Sequence, residues 1–167
     1  QTCALPIWFD ERENQDGVNW GKTYTEKTYE EAYFNIVTES EYASETIHIS
    51  EKSFKPFVVY QYPLILASPG HIRAIKKRYG FDFFDDVIDH SYDTETNHHA
   101  RLMKFVKEIK RIHDNKEFFI DFYEKNKDRF IRNHELAKTL THDTADKDFL
   151  KKLTGLYDYE FDNRIKI

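Results

Sequence analysis

The pattern of apolar and polar positions predicts an α/β arrangement early in the chain. Tyr33–Thr38 is a short run rich in β-branched and aromatic residues, which is typical of a strand, and the apolar run Pro63–Ala67 is typical of a buried strand. Apolar residues then recur at helical spacing over His71–Tyr79, and Gly80 ends this helix. Alternating strands and helices favour a parallel sheet whose strands are joined by right-handed crossovers.

The segment between the two predicted strands is expected to begin a helix after Ser50. Serine is a favoured N-cap, and the predicted helix runs from Glu51 to about Tyr60. Pro56 lies inside it, where it removes a backbone donor and should kink the helix or confine it to its first turns. After the second helix, Phe81–Phe84 is predicted to form a short strand or an ordered loop.

From Thr96 onward the pattern is helical. A last helix is expected to start at Asp143 or Thr144 and to bury Phe149, Leu150, Leu153 and Leu156. Before it, apolar residues recur in three helical stripes: Leu102, Phe105, Val106, Ile109 and Ile112; Phe118, Phe119, Phe122 and Tyr123; and the weaker Ile131, His134 and Ala137.

These patterns divide the chain into four parts. Residues 1–7 (QTCALPI) resemble the in-frame translation of a short-read sequencing adapter, an interpretation that we favour over an ordinary processed or coil N-terminus, and we exclude them from fold reasoning. Residues 8–32 lack a clear period and are predicted to be loop or linker, with a short helix at Thr25–Glu31. Residues 33–113 hold the α/β pattern, and residues 114–167 form the helical C-terminal region.

The length of the chain limits the number of domains, and its charge distribution limits the kinds of partner. The chain has 167 residues, enough for one ordinary domain or for half of a two-domain protein. Residues 1–100 carry 9 basic and 17 acidic side chains, a balance of −8, whereas residues 101–167 carry 16 and 13, a balance of +3. Because a polyanion normally requires a basic face, the acidic first part argues against a nucleic-acid partner.

Hydropathy and cysteine content bear on location. No apolar run approaches the roughly 20 residues of a membrane span, and no basic segment precedes an apolar stretch as in a signal peptide. Cys3 is the single cysteine and cannot form an internal disulfide, which fits a reducing compartment. The expected location is the cytoplasm.

The stretch around Ser50 is the strongest candidate for chemistry. A helix N-terminus favours an anion, Lys52 adds a positive charge, and the Glu51 carboxylate can accept hydrogen bonds from sugar hydroxyls. In parallel sheets ligands bind beyond the carboxyl ends of the strands, where Glu39 and the Ser50–Lys52 turn should both fall. The turn is therefore predicted to hold a ribose and a phosphate; a plain surface helix start is the alternative.

Other polar groups support simpler interpretations. His98 and His99 are adjacent and lack the i,i+4 spacing of a helical zinc pair, so a helix surface is favoured over a metal site. His71 follows a turn near the expected ligand edge and is interpreted as an N-terminal helix residue rather than a phosphate contact. A run of acidic residues is interpreted as a solvated loop: Asp82, Asp85, Asp86 and Asp89.

Five motifs in order and spacing resemble a known family: NIVTES, ISEKSFKPF, PLILASPG, GFDFF and IDHSYD. Together they look like the C-terminal half of GT-B-type glycosyltransferases, particularly viral and metagenomic glycosyltransferase-like proteins, and fucosyltransferases carry a related Glu-Lys pair. The resemblance covers Tyr33 to Ile112. It implies a Rossmann-like parallel sheet, half of a GT-B fold, with a helical C-terminal extension and an N-terminal half that this chain lacks.

The resemblance also implies donor-binding roles where residues match. Glu51 matches the acid that bonds the nucleotide ribose, and Lys52 matches the lysine that meets the diphosphate. Lys55 lies at i+3 from Lys52, so it could reach the same phosphates or be solvated. Glu39 matches an acid at the end of the preceding strand with a donor-side polar contact, and Ser50 completes the donor-binding set as the helix cap.

The end of the last motif matches only in part. Tyr92 and Asp93 match the family pattern, whereas His90 stands where an acid is expected. In GT-B enzymes the acceptor site and usually the catalytic base come from the N-terminal half, so the base is expected outside this chain and the isolated fragment is expected to be inactive.

The expected function is glycosyl transfer from a nucleotide-sugar donor to a hydroxyl of a glycan or protein acceptor. The resemblance implies that no bound metal or other cofactor is needed. A non-catalytic nucleotide- or sugar-binding module is one alternative, and a helical adaptor scaffolded by the α/β part is another. The sequence leaves open the donor base and sugar, the stereochemical outcome and the oligomeric state.

Overall fold

The computed structural model describes residues 32–140 as a mixed α/β arrangement with two parallel strands and predominantly helical content. The adapter-like residues 1–7, almost all of the linker 8–32 with its short helix, and the last predicted helix lie outside the described residues. Their interpretation therefore stays a prediction.

The sheet consists of β1, Phe34–Thr38, and β2, Tyr62–Leu66. They pair in parallel with Phe34 opposite Tyr62 and Thr38 opposite Leu66. All five residues of β2 are buried, whereas β1 is buried only at Val37. Both predicted strands are thus present within a residue at each end. The continuous apolar run of β2 suits a strand that is covered on both faces, whereas β1 has a single buried residue.

The connection between the strands is compact. Glu51–Phe54 forms a 3₁₀ turn, and α1, Lys55–Val58, continues directly from it. Pro56 lies in the first turn of α1, where its missing N–H costs no hydrogen bond. The change from 3₁₀ to α geometry immediately before Pro56 limits the predicted helix to two short turns, which then lead into β2.

A tight turn and one regular helix follow β2. The turn ends at Gly70, whose φ of 81° lies in the left-handed region. A Cβ on Gly70 would also meet the guanidinium of Arg73 at 3.2 Å, so both backbone and space favour glycine. Helix α2, His71–Tyr79, has the predicted bounds and ends at Gly80 with a φ of 80°.

Three further helices complete the described chain: α3, His98–Asp114; α4, Lys116–Lys125; and α5, Lys127–Thr139. They share the core of the strands: the Tyr62 hydroxyl donates to the carbonyl of Phe119 over 3.0 Å, and the Tyr123 hydroxyl donates to that of Tyr60 over 2.8 Å. Within the described range, no helix combines the length and the apolar character needed to cross a bilayer.

Phe81–Phe84 is an ordered loop rather than a third strand. Its backbone groups are bound by side chains: the N–H of Asp82 donates to the side chain of Asn133, and the N–H of Phe84 donates to the carboxylate of Asp82. Phe84 also has a φ of 58°, which is incompatible with extended backbone. The described sheet therefore stays at two strands.

The helical stripes need three corrections. Phe118 is 51% exposed, Val106 is 48% exposed and Ile131 is 40% exposed, although all three were expected in the core. The buried face of α5 instead begins at Phe130 and includes Asn133, because the Asn133 amide bonds both backbone groups of Asp82. Asn133, which has a specific partner in Asp82, is therefore buried on α5, whereas Ile131, which the apolar period places in the core, is exposed.

Candidate functional site

A buried carboxylate lies at the carboxyl end of the sheet. Glu39 follows β1 directly, and its N–H continues the ladder by donating to the carbonyl of Leu66 over 3.0 Å. Only 3% of Glu39 is exposed. Among residues 32–140 no lysine or arginine pairs with this carboxylate, so its hydrogen bonds have to compensate for its lost hydration.

Two serines of the Ser50–Ser53 turn supply those hydrogen bonds. The Ser50 hydroxyl lies 2.8 and 2.9 Å from the two carboxylate oxygens of Glu39, and the Ser53 hydroxyl donates to Oε1 over 2.7 Å. The Ser50 N–H adds a longer contact of 3.3 Å. Glu39 thereby ties the start of the 3₁₀ turn to the end of β1.

Ser50 caps the turn as predicted. Its backbone is extended, and its Oγ accepts the N–H of Lys52 over 3.3 Å. The same hydroxyl gives its proton to Glu39, so one serine links the backbone of Lys52 to a carboxylate that is distant in sequence. The cap is therefore held from outside the helix as well as from within it.

His71 extends the cluster to the start of α2. Its Nε2 lies 2.8 Å from the Ser53 hydroxyl, and no part of the side chain is exposed. Burial lowers the pKa of His71, while the charges of Glu39 and Asp93 act in the opposite direction and His48 lowers it further. The ring is therefore neutral at pH 7, and its Nδ1 has no hydrogen-bond partner among the described residues.

We call Glu39, Ser50, Ser53 and His71 the strand-end cluster. It contains the residue types of a hydrolase triad but has the wrong connectivity. In a triad the acid orients the histidine and the histidine bonds the serine, whereas here Ser53 lies between Glu39 and His71. Because Ser53 is also fully buried, the arrangement fixes a backbone rather than presenting a nucleophile.

The donor-binding residues predicted from sequence fall around this cluster. Glu39 and Ser50 are in direct contact, whereas Glu51, Lys52 and Lys55 lie along the turn and are partly exposed. The ammonium of Lys52 donates to the hydroxyl of Ser40 over 3.1 Å, next to the end of β1. The Glu51 side chain forms no hydrogen bond or ion pair within residues 32–140.

The N-terminus of α2 is already occupied. The Asp93 carboxylate accepts the N–H of Ile72 over 2.9 Å and that of Arg73 over 3.1 Å, and the Asp93 carbonyl accepts the N–H of Gly70. This caps the helix from a residue about twenty positions away. α2 is therefore not a free anion site, and because the Lys52 N–H is capped by Ser50 in the same way, the candidate ligand contacts are the side chains of the Ser50–Lys52 turn.

The other end-of-motif residues are structural in this fold. His90 bonds the carbonyl of Phe83 through Nε2 at 2.8 Å and the hydroxyl of Tyr92 through Nδ1 at 2.9 Å. Burial lowers the pKa of His90. His98 and His99 are exposed at the start of α3, and no group of metal-ligating side chains occurs in the described part of the chain.

The acidic loop is paired rather than simply solvated. Arg129 binds the carboxylates of Asp82 and Asp86 with two hydrogen bonds each, between 2.6 and 2.9 Å, and Asn133 holds the backbone of Asp82. We call Asp82, Asp86, Arg129 and Asn133 the Arg129 cluster. Hydrogen bonds from the Arg129 guanidinium lower the pKa of Asp86, and the carboxylates of Asp86 and Asp82 raise the pKa of Arg129.

A cleft of about 450 Å³ is lined by the loop 85–90 and by Arg111. Its polar groups already have partners: Arg111 binds Glu108 and the carbonyl of Val87, and Asp89 accepts the N–H of Ser91. We place the candidate site at the strand-end cluster instead, because that cluster lies at the carboxyl ends of the two parallel strands, where ligands of such folds bind.

Ser53 was not identified from the sequence, and His71 was interpreted only as a helix residue. The available signal was faint. Ser53 lies three positions after the cap on the same turn, and Glu39 would need nearby hydrogen-bond donors only if it were buried, which the sequence does not show. Neither observation identifies His71, which is eighteen positions beyond Ser53.

Comparisons with known proteins return no relative: no family model, no curated protein and no solved structure matches the chain. The likeness to glycosyltransferases thus depends on the five motifs alone. The function has to be argued from the geometry around the strand-end cluster.

Proposed function

We propose that this chain is the donor-binding half of a glycosyltransferase and that the Ser50–Lys52 turn holds the diphosphate of a nucleotide sugar. The observation that carries the proposal is the anchoring of this turn by Glu39 at the carboxyl ends of two parallel strands. Ligands of parallel α/β folds bind at this edge. The two strands would belong to a larger Rossmann-like sheet.

The side chains on the turn suit a nucleoside diphosphate. Lys52 offers a partly exposed ammonium beside Ser40, and Lys55 lies one turn further on. The carboxylate of Glu51 is not used by the described residues and can accept from ribose hydroxyls. The turn therefore carries both positive charge for phosphate and a carboxylate for sugar hydroxyls.

The same groups would serve the chemistry. In glycosyl transfer the bond between the sugar C1 and the phosphate oxygen breaks, the acceptor oxygen bonds to C1, and the acceptor proton goes to a base. The leaving diphosphate gains negative charge, which Lys52 would stabilise from a position fixed before the reaction. We assign the base to no described residue, and an acceptor hydroxyl and its base would come from elsewhere in the complete enzyme.

Calorimetric titration of GDP, UDP, CDP and ADP into the chain tests the proposal. We expect one diphosphate to bind and the Lys52→Ala variant to lose at least about 1.4 kcal/mol of binding free energy, a tenfold change. Lys107→Ala is the matched control, because Lys107 is an exposed lysine on α3. A folded chain that binds none of the four, or equal losses in both variants, would exclude a donor site at this turn.

A non-catalytic nucleotide-binding module is the second candidate, and one observation favours it. The residues that could exchange protons in the strand-end cluster, Glu39 and His71, are both buried. Sequencing the coding region upstream of residue 1 separates the two: a second Rossmann-like half supports the enzyme, whereas its absence supports the module.

The helical adaptor has less support. Helices α4 and α5 pack on β2 through Phe119, Tyr123 and Phe130, all of which contact the Tyr62 ring. The core-facing residues of both helices are therefore used inside this fold, while Phe118 and Ile131 stay exposed.

A further inference from the structure

The strand-end cluster forms one continuous line of hydrogen bonds from α2 to the backbone of Lys52. His71 Nε2 lies 2.8 Å from Ser53 Oγ, Ser53 Oγ lies 2.7 Å from Glu39, Glu39 lies 2.8 Å from Ser50 Oγ, and Ser50 Oγ accepts the Lys52 N–H. Every link except the last joins residues at least eleven positions apart. The line therefore couples α2 to the turn independently of the local chain.

The direction of these hydrogen bonds depends on where one proton lies. A serine hydroxyl has a single proton, and an ionised carboxylate only accepts. If Ser53 donates to Glu39, the ring of His71 has to donate to Ser53 through a protonated Nε2. If Nε2 were unprotonated, the Ser53 hydroxyl would turn to His71, and Glu39 would lose its shortest hydrogen bond.

The surroundings of the ring favour the first arrangement. Nδ1 of His71 is buried and has no partner among the described residues. A neutral ring protonated at Nε2 leaves an unpaired acceptor there, whereas the opposite tautomer would leave an unpaired N–H, which is rarer in protein interiors. The geometry of Glu39 and the environment of Nδ1 therefore select the same tautomer.

We propose that His71 is the positioning residue of the donor site: its Nε2–H directs the Ser53 hydroxyl to Glu39 and thereby fixes the Ser50–Lys52 turn. His71 touches no ligand in this account and acts through Ser53 and Glu39. The statement that this turn serves a ligand rests on the proposed function. The hydrogen bonds of His71, Ser53 and Glu39 can be measured without any ligand.

The first test is the tautomer of His71 in the 167-residue chain. Nitrogen-15 NMR of histidine-labelled protein distinguishes a protonated from an unprotonated ring nitrogen, and a His71→Gln spectrum assigns the signal. We expect Nε2 to be protonated and Nδ1 unprotonated at pH 7.5. A ring with an unprotonated Nε2 would overturn the proposal whatever the ligand turns out to be.

The second test compares two substitutions at the same position. Glutamine can place a side-chain amide donor where Nε2–H stands, whereas leucine cannot. In His71→Leu we expect the Lys52 amide to exchange with solvent about tenfold faster than in the wild type, and in His71→Gln we expect exchange close to the wild-type rate. An unchanged exchange rate in folded His71→Leu, or equal acceleration in both variants, would contradict the proposal.

Binding completes the test. The nucleoside diphosphate that binds best to the wild type should bind about tenfold more weakly to His71→Leu and with near wild-type affinity to His71→Gln. If the wild type binds none, the proposed function fails, while the tautomer and the Lys52 exchange rate still decide the role of His71. If His71→Leu does not fold, Ser53→Ala, which breaks the same link, takes its place in both measurements.

Discussion

The strand-end cluster and the Arg129 cluster both hold carboxylates, but the two clusters compensate for the negative charge of these carboxylates in different ways. In the Arg129 cluster, a guanidinium that also lies 4.8 Å above the Phe84 ring pairs with two acids, whose side chains are 34% and 52% exposed. In the strand-end cluster, Glu39 is 3% exposed and receives only hydroxyl and amide hydrogen bonds from the described residues.

The difference teaches what each cluster can do. The carboxylates of Asp82 and Asp86 share one partner, the Arg129 guanidinium, whose hydrogen bonds join the loop 82–86 to α5. The Arg129 cluster therefore contributes to the stability of the fold. The strand-end cluster relies on protons of serine and histidine, whose direction can change. It is therefore suited to setting the shape of the Ser50–Lys52 turn, and its geometry depends on protonation.

The largest expected effect breaks the Arg129 cluster. Arg129→Ala removes four hydrogen bonds to Asp82 and Asp86 and should lower the free energy of unfolding by about 3 kcal/mol, measured by urea denaturation. Arg132→Ala, in the same helix, breaks only an exposed pair with Asp128 and should cost less than about 0.5 kcal/mol. Equal effects in the two variants would show that Arg129 is not a stabilising centre.

A smaller loss of stability is expected at Glu39. Glu39→Gln replaces one accepting oxygen with an amide donor that faces serine hydroxyls, which should lower the free energy of unfolding by about 2 kcal/mol. Glu135→Gln is the control, because that side chain is exposed on α5. Thermal denaturation measures both, and a Glu39→Gln variant as stable as the control would mean that the carboxylate is not bonded as described.

The buried histidines and the Arg129 cluster should lose their contributions to stability in different pH ranges. Burial lowers the pKa of His71 and His90 below the ordinary 6.5, so the unfolded chain binds more protons and stability falls as the pH decreases through about 6.5. Hydrogen bonds from Arg129 lower the pKa of Asp86 in the folded chain below the ordinary 3.8. The contribution of Asp86 to the free energy of unfolding is therefore complete above pH 3.8, and it is lost as the pH falls through the pKa that Asp86 has in the folded chain.

Denaturation at a series of pH values separates these ranges. The double variant His71→Gln, His90→Gln should flatten the decline of stability between about pH 7 and pH 5. Arg129→Ala should leave that decline intact and reduce the decline below about pH 4. A decline between pH 7 and pH 5 that survives in the double histidine variant would assign it to other groups.

The smallest stability effect is expected at Lys52. Its ammonium has one exposed contact, with the hydroxyl of Ser40, so Lys52→Ala should change the free energy of unfolding by less than about 0.5 kcal/mol. This prediction separates ligand-binding side chains from stabilising ones, because replacing a side chain that only binds ligand should leave the free energy of unfolding unchanged. Urea denaturation checks it, and a loss comparable to that of Glu39→Gln would make Lys52 a structural residue.

Local signals explain which parts of the fold were predictable. Helix α2 has the predicted bounds because Gly70 and Gly80 both adopt left-handed backbone next to a clear apolar period. The Phe81–Phe84 loop has the composition of a strand, but its backbone is captured by Asn133, about fifty positions away. No local pattern contains that information.

The candidate site divides in the same way. The Ser50 cap and the placement of Glu39 at a strand end follow from short-range rules, and the structure has both. The link from Ser53 to His71 and the Asp93 cap of α2 depend on tertiary packing. Sequence could therefore locate the turn but could not show what holds it in place.

The most direct measurement of the central claim is a map of backbone amide NMR shifts as a nucleoside diphosphate is added to the 167-residue chain. The account predicts that the largest shifts occur at Ser50, Glu51 and Lys52, with smaller ones at Ser53 and His71, and with none in the Arg129 cluster. Saturable shifts confined to the loop 85–90, or no shifts with any of GDP, UDP, CDP and ADP, would contradict a ligand site at the Ser50–Lys52 turn.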